Sequence, residues 1–557
     1  MNERCSILLA CRALLVLMAL VSPASAQRQP AGPKSSAPSR ADAAIESAAA
    51  LVQKGEFREA EPVARRAVQM APRSPLAHNL LGLVLDRLGR AQEAKSEYRA
   101  ALRIDPGFVS ARNNLGNLLV RGGDYAAARI QFEKALQLDP KHTRAHYNLA
   151  LLLMQVGEYA KAADHLRQVR EMRQASDPAL DLAFVAAALK AERTKEGLRA
   201  AQDLESAYGS DPRVLFSLAV ALAQGEQYER AAGLFEKVND LHPRAPEVLY
   251  NLGLAYFNLD RLDEAAQALA QAADLDPGPA EIHFRLGLIA AEHDDHENAI
   301  AEFKHAIERA SGVAQYHYLL GKEYFQVGYW EGAAQEYQKA TELDPKQPAY
   351  FLSLGNAKSK LSNFPASTKA FEQVLRLDPT APNIHYLIGY GYRSQAQFDL
   401  ARRHFEAQLA ATPSHSDALA NLGYVAVEEG LLDQAEGYLS KALALDEDNA
   451  AAEFNLGRVY LKKKRYPEAI ERMQRVLRLS PDYTQAYYQL FLAYSRLRQL
   501  EKANQTLATF KAREEMDTHT RNSLTQLDRT RKVRLGVTGA EVPGSNPPPQ
   551  TQPPETK

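Results

Sequence analysis

Residues Pro246–Pro279, PEVLYNLGLAYFNLDRLDEAAQALAQAADLDPGP, decide the fold. They read as two short amphipathic helices and a turn, on a skeleton of Leu252, Gly253, Tyr256, Leu262, Ala265, Leu269, Ala272 and Pro277. The skeleton returns over Ala314–Gln347 as Leu320, Gly321, Tyr324, Trp330, Ala333, Tyr337, Ala340 and Pro345. Pro345, Pro379 and Pro413 follow at equal steps, which sets the period at 34 residues. A fixed period of this size means stacked units, each unable to bury its apolar face alone, rather than one globular core.

The residue types fit that reading. Each helix has only three to four turns and would be marginal by itself in water, so stability must come from stacking. Gly253 and Ala265 are small where the two helices of one unit cross, and Ala272 is small where the next unit is received. Leu262 and Leu269 fill the gaps beside those contacts, and Pro277 ends the second helix because it cannot donate the helical hydrogen bond.

The pattern resembles the tetratricopeptide repeat (TPR), with a small residue after Leu in helix A, then Ala and an aromatic in helix B, then Pro. The resemblance implies an all-α solenoid, a right-handed superhelix of about fourteen antiparallel helix pairs, with disordered segments at both ends. It also implies that helix A lines the concave face. The residue two before the leucine of each Leu-Gly pair should then face the groove, which gives Tyr147, Phe216, Tyr250, Phe284, Tyr318, Tyr386, Phe454 and Tyr488. Beside it runs a partial asparagine ladder of Asn114, Asn148, Asn251, Asn421 and Asn455. Aromatic rings give contact area at low entropy cost, and amides can bond an extended peptide backbone. The same residues also belong to the generic repeat pattern, where they pack the scaffold.

Around this array the chain divides by composition. Residues 1–26 read as a secretory signal peptide: Arg4 and Arg12, the apolar run Ala13–Val21, a Ser22-Pro23 break and Ala24-Ser25-Ala26 before Gln27. Residues 27–40, rich in Pro, Ser and Gly, form a disordered linker. N-terminal repeats occupy 41–176. Pro140 to Pro212 is 72 residues and Pro212 to Pro243 is 31, so register is expected to fail over 177–211. This degenerate repeat has lost its aromatics and should pack more loosely, either as an ordinary irregular unit or as a hinge between two arms. C-terminal repeats occupy 212–517, a capping helix 518–541, and a disordered Pro-rich tail 542–557.

Charge is balanced, 67 basic against 68 acidic residues, which gives no electrostatic case for nucleic acid. The two cysteines, Cys5 and Cys11, both lie in the leader, so the processed chain carries no disulfide and no cysteine metal site. No phosphate loop, nucleophile elbow, HExxH or CxxC occurs, so neither catalysis nor a cofactor is expected. His293 and His296, with Asp294, Asp295 and Glu297, have metal-ligand spacing but fall in a turn where polar residues belong. His142 and His146 are a weaker case, and no metal site is assigned. The basic clamp by which TPR chaperone adaptors hold C-terminal carboxylates is missing. Its nearest match is Asn113, Asn117 and Asn148, with Leu182 and Ala186 where the last basic pair belongs.

The expected function is a non-catalytic scaffold of the bacterial envelope, exported to the periplasm or beyond. It would bind proteins or peptides along the groove and have no membrane span once the leader is cleaved. One alternative is a periplasmic scaffold of a polysaccharide-export or outer-membrane assembly complex. Another is an accessory substrate-binding subunit of a Ser/Thr glycosyltransferase.

Overall fold

The computed structural model describes residues 39–173 and 177–534, with side chains described through residue 518. The expected signal peptide, nearly all of the 27–40 linker, both cysteines, residues 535–541 of the capping segment and the 542–557 tail lie outside the described residues.

The described residues form 28 helices and no strand, arranged as fourteen pairs joined by short turns. The chain divides into two compact units, one ending at Pro277 and one starting at Gly278. The first holds seven pairs, from Arg40–Lys54 with Phe57–Met70 to Pro246–Asn258 with Leu262–Leu275. The second holds seven more, from Ala280–Glu292 with His296–Arg309 to Thr484–Arg496 with Leu500–Arg534. Below, the first helix of a pair is its A helix, the second its B helix, and the pairs are repeats one to fourteen.

The A–B turn is built the same way every time, around one residue in the left-handed conformation. Glycine fills it in six repeats, at Gly55, Gly89, Gly123, Gly157, Gly328 and Gly430. In the other eight a side chain is carried there, by Glu192, Glu226, Asp260, Asp294, Ser362, Ala396, Lys464 and Arg498. The geometry closes the A helix: in repeat two, Gly89 N donates to Asp86 O at 3.0 Å and Arg90 N to Leu85 O at 2.9 Å. This satisfies carbonyls that a helix end otherwise leaves unpaired.

The small residue of the A helix has a clear reason. A Cβ added to Gly321 would lie 2.8 Å from Tyr337 Cδ1, and one on Gly355 would lie 2.4 Å from Phe371 Cε1. Where the B helix carries an aromatic at this place it seats directly on the A-helix backbone, and Phe132, Phe303, Phe371 and Phe405 there are fully or almost fully buried. Gly253 receives Leu269 in the same way, and Ala265 and Ala272 beside it are fully buried.

Two readings of the sequence change. Register is not lost in the middle of the chain. The A helices begin at Thr143, Pro178, Pro212 and Pro246, at steps of 35, 34 and 34. Pro212 opens a helix, with Asp211 accepting from Arg213 N and Val214 N as its cap, whereas Pro243 follows the end of one. Counting between prolines of opposite roles created the apparent insertion and deletion. Nor is repeat five hollow: nine of the thirteen residues of Pro178–Lys190 are buried. At the other end, Leu500–Arg534 is one continuous helix, so residues 518–534 prolong the last B helix rather than form an element of their own. No described helix is long and apolar enough to cross a membrane.

Candidate functional site: the faces of the A helices

The structure packs most of the aromatic ladder against neighbouring rings. Phe216 meets Phe235 of its own B helix edge-on at 5.7 Å. Phe284 is 4% exposed, stacked on Tyr316 of the following A helix at 4.8 Å and set beside Phe303 at 6.2 Å. Tyr318 lies between Tyr337 at 5.7 Å and Tyr350 of the following A helix at 4.9 Å. Tyr386 stacks on His415 at 4.9 Å, and Phe454 lies 4.9 Å from Tyr483, each at the start of the next A helix. Tyr147 and Tyr250 are half-buried, and Tyr488 is the most open, at 38% exposure, against Phe510 at 5.3 Å. Burial pushes the hydroxyls of Tyr147 and Tyr386 above the ordinary phenol value, so both stay neutral. Phe284, Tyr318, Tyr386 and Phe454 thus pack against the following repeat, whereas Phe216 and Tyr488 pack within their own.

The asparagines do two different things. In repeats two to four they bond across repeats: Asn114 Nδ2 donates to Asn79 Oδ1 at 3.0 Å, and Asn148 Nδ2 to Asn113 Oδ1 at 2.9 Å. Asn251, Asn421 and Asn455 instead turn back on their own helices, donating to the carbonyls of Glu247, Asp417 and Ala451 at 2.7–2.9 Å. Asn421 and Asn455 are buried.

Their free amide oxygens lead to a cluster that the sequence reading missed. Arg393 Nη1 donates to Asn421 Oδ1 at 2.5 Å, and its guanidinium lies over Tyr390 at 4.5 Å and Tyr424 at 4.9 Å. Arg458 follows two repeats on, 5.7 Å from the Tyr424 ring, donating to Asn455 Oδ1 at 3.2 Å and to Glu428 Oε1 at 2.8 Å. Three successive A helices, Ile384–Ser394, Ser416–Glu428 and Ala450–Lys462, build this surface. Arg458 is neutralised by Glu428, whereas among the described residues no carboxylate pairs with Arg393. The signal was present in the sequence one residue after the small position, as Gly389-Tyr390, Gly423-Tyr424 and Gly457-Arg458.

The metal-spaced histidines do not assemble. His296 Nδ1 pairs with buried Glu323 at 2.8 Å, while His293 stays exposed in the turn. His142 Nδ1 caps its helix by accepting from Ala145 N at 3.1 Å, and His146 lies between His165 at 2.8 Å and Pro140 O at 2.9 Å. Asn113 and Asn148, the remnant of a carboxylate clamp, bond to each other.

Among the similar solved structures is the APC/C Cut9–Hcn1 hetero-tetramer, at 16% identity and TM-score 0.35 over 92% of this chain and 97% of that one. YrrB, described as a TPR protein with an unusual peptide-binding site, has 24% identity and TM-score 0.29 over 33% and 96%. MamA from Desulfovibrio magneticus RS-1 has 21% identity and TM-score 0.29 over 30% and 96%. No curated protein matches the sequence. Models of the tetratricopeptide repeat match residues 45–107, 113–178, 182–246, 226–280, 250–314, 386–450, 426–484 and 460–527, and a TPR repeat model matches 321–362. The chain belongs to the tetratricopeptide repeat family.

Proposed function

We propose that this chain is a non-catalytic scaffold that holds segments of other proteins along the faces of its A helices. The observation that carries the reading is Arg393, set over the rings of Tyr390 and Tyr424 with no carboxylate partner among the described residues. A guanidinium held by two rings has lost rotamer freedom before a ligand arrives, and its fork matches a carboxylate or a peptide carbonyl. The partner segment is therefore acidic where it crosses repeats eleven to thirteen. The reading extends to the bacterial envelope through the leader-like residues 1–26, and a polysaccharide-export or outer-membrane assembly complex is one setting for such a scaffold.

The test is photo-crosslinking in native envelope extract from a reactive residue at Tyr390 or Tyr424. It is paired with binding of acidic and basic peptide libraries to the chain and to Arg393→Gln. Acidic peptides that lose at least tenfold in affinity with Arg393→Gln, and protein adducts from both positions, support the reading. Retention of glycans with no protein adduct would move the function to sugar recognition. A Phe284→Ala, Tyr318→Ala variant with intact helicity tests whether repeats eight and nine add to the binding.

A further inference from the structure

The geometry points to a divalent transition-metal site of the zinc class inside repeat eight, formed by His283 of the A helix with Glu302 and His305 of the B helix. The ligand atoms of the three lie within 4.8 Å of one another. Glu302 and His305 are spaced i, i+3 on His296–Arg309, which puts them on one face, and that face meets His283 on Ala280–Glu292. Two imidazoles and a carboxylate are a set that four-coordinate zinc accepts, with water as the fourth ligand.

His283 also differs from its counterparts in other repeats. Its ring is 8% exposed, and its Nδ1 lies 2.7 Å from Glu302 Oε2. Its Nε2 is buried with no hydrogen-bond partner. Buried ring nitrogens are ordinarily satisfied, and this protein satisfies them elsewhere at the same place in the repeat. His78, His146 and His317 each set Nε2 against the carbonyl six residues back, of Pro72, Pro140 and Ser311, at 2.9–3.1 Å. Nδ1 is the ring nitrogen that faces Glu302, so an ion shared by the two residues takes the place of that hydrogen bond. Nε2 is left without the backbone anchor that its counterparts have, so the ring is free to adjust to the ion.

His305 separates this repeat from its relatives. The His–Glu pair itself recurs, as His78 with Glu97 and His317 with Glu336, both at 2.7 Å. The residue one turn beyond the glutamate is Ala100 in repeat two and Lys339 in repeat nine. Only repeat eight places a second imidazole there, 5.2 Å from the first between ring centroids. The pair alone is a packing device; with His305 it becomes a three-ligand set. Zinc bonds of about 2.0–2.1 Å bring ligand atoms to about 3.4 Å of one another, so the widest separation must close by about 1.4 Å at most while the 2.7 Å pair of His283 and Glu302 opens. His305 is exposed and can swing to close it. The adjacent cation Lys304 is engaged with the ring of Tyr324, 5.8 Å away in repeat nine.

The experiment uses the tag-free full chain, stripped with a chelator and titrated with Co2+ and with Zn2+. The expected result is one Co2+ per chain, with the visible d–d absorption of a four-coordinate ion, displaced by Zn2+. His305→Ala, at an exposed position that leaves the fold intact, should abolish the band and weaken Zn2+ at least tenfold. His317→Ala, which removes the paired histidine of repeat nine, should leave both unchanged. No stoichiometric Co2+ band, or a His305→Ala variant that binds Zn2+ within tenfold of the parent, overturns the site.

Discussion

Repeats five and nine solve one packing problem in opposite ways. In repeat nine the A helix offers Gly321 and the B helix presses Tyr337 onto it. In repeat five the corresponding positions are Val185 and Ala201, both fully buried. Further along the B helices Ala340 stands in one and Leu204 in the other, again both buried. Volume has moved from the B helix to the A helix and along the B helix, and none has been lost. Leu189 completes the exchange: a Cβ on Gly197 or on Gly225 would come within 2.8 Å of its side chain. The repeat therefore conserves the volume between its helices rather than particular residues at particular places.

That comparison can be broken by moving one solution into the other. Tyr337→Ala alone should empty the seat on Gly321 and cost about 3–5 kcal/mol, read as a drop in the urea midpoint followed by helix 314–326. Gly321→Val alone should overpack against Tyr337 and cost about 1–3 kcal/mol by the same measurement. The double variant imports the arrangement of repeat five, so its cost should fall well below the sum. A strictly additive pair would show that the two repeats do not share one volume rule. Because long arrays unfold by parts, hydrogen exchange of the two helices is the cleaner readout.

A smaller effect lies at the turns. Ala396 holds a left-handed conformation that glycine takes without strain. Ala396→Gly should stabilise repeat eleven by about 0.5–1 kcal/mol, the steric relief being offset in part by the glycine's greater freedom when unfolded. Gly430→Ala should cost a similar amount in repeat twelve, and equal thermal shifts of opposite sign would sharpen the claim.

The smallest effects are set by histidines at one place in the repeat. His165 and His404 are held below the ordinary imidazole value, first by burial and then by the facing histidines His146 and His385. Asp164 and Glu133 oppose this at His165, and Glu372 does so at His404. Their contribution to stability is present above the unfolded value of about 6.5 and is lost as pH falls through it. His317 has the opposite sign. Burial works against its charge, but its hydrogen bonds to Glu336 and to Ser311 O outweigh burial and the nearby Lys339 and raise it. Its contribution is present below about 6.5 and is lost as pH rises through the folded value. Hydrogen exchange at pH 5.5 against pH 7.5 should therefore loosen repeats four and eleven while repeat nine tightens. A uniform response across the three would remove the distinction.

Much of the fold was legible because the 34-residue period is written in small residues, and small residues mark backbone approach. Gly253, Gly321 and Gly355 could be placed before any coordinates, since a Cβ there meets Leu269, Tyr337 or Phe371. Proline was a poorer guide, because it serves both before and after a helix: Pro212 and Pro243 differ in role though not in type. The aromatic ladder was located but not oriented. A ring such as Phe284 can face a ligand or a neighbouring helix from the same register, and only the position of Tyr316 decides. Arg393 and the set His283, Glu302 and His305 were out of reach for another reason. Each depends on side chains brought together from two or three helices, and a period read along the chain does not contain such distances.

The amide bonds of the first unit have a mechanical consequence. Asn79 with Asn114, and Asn113 with Asn148, tie repeats two, three and four by directional bonds in addition to apolar contact. Under tension, apolar faces peel gradually, whereas hydrogen bonds loaded together give way abruptly. A chain drawn out from its ends would pay out about 110–120 Å of contour with each 34-residue repeat released. Repeats two to four would hold as a block and then yield in one longer step. The asparagines that look like places for a ligand act there as rivets.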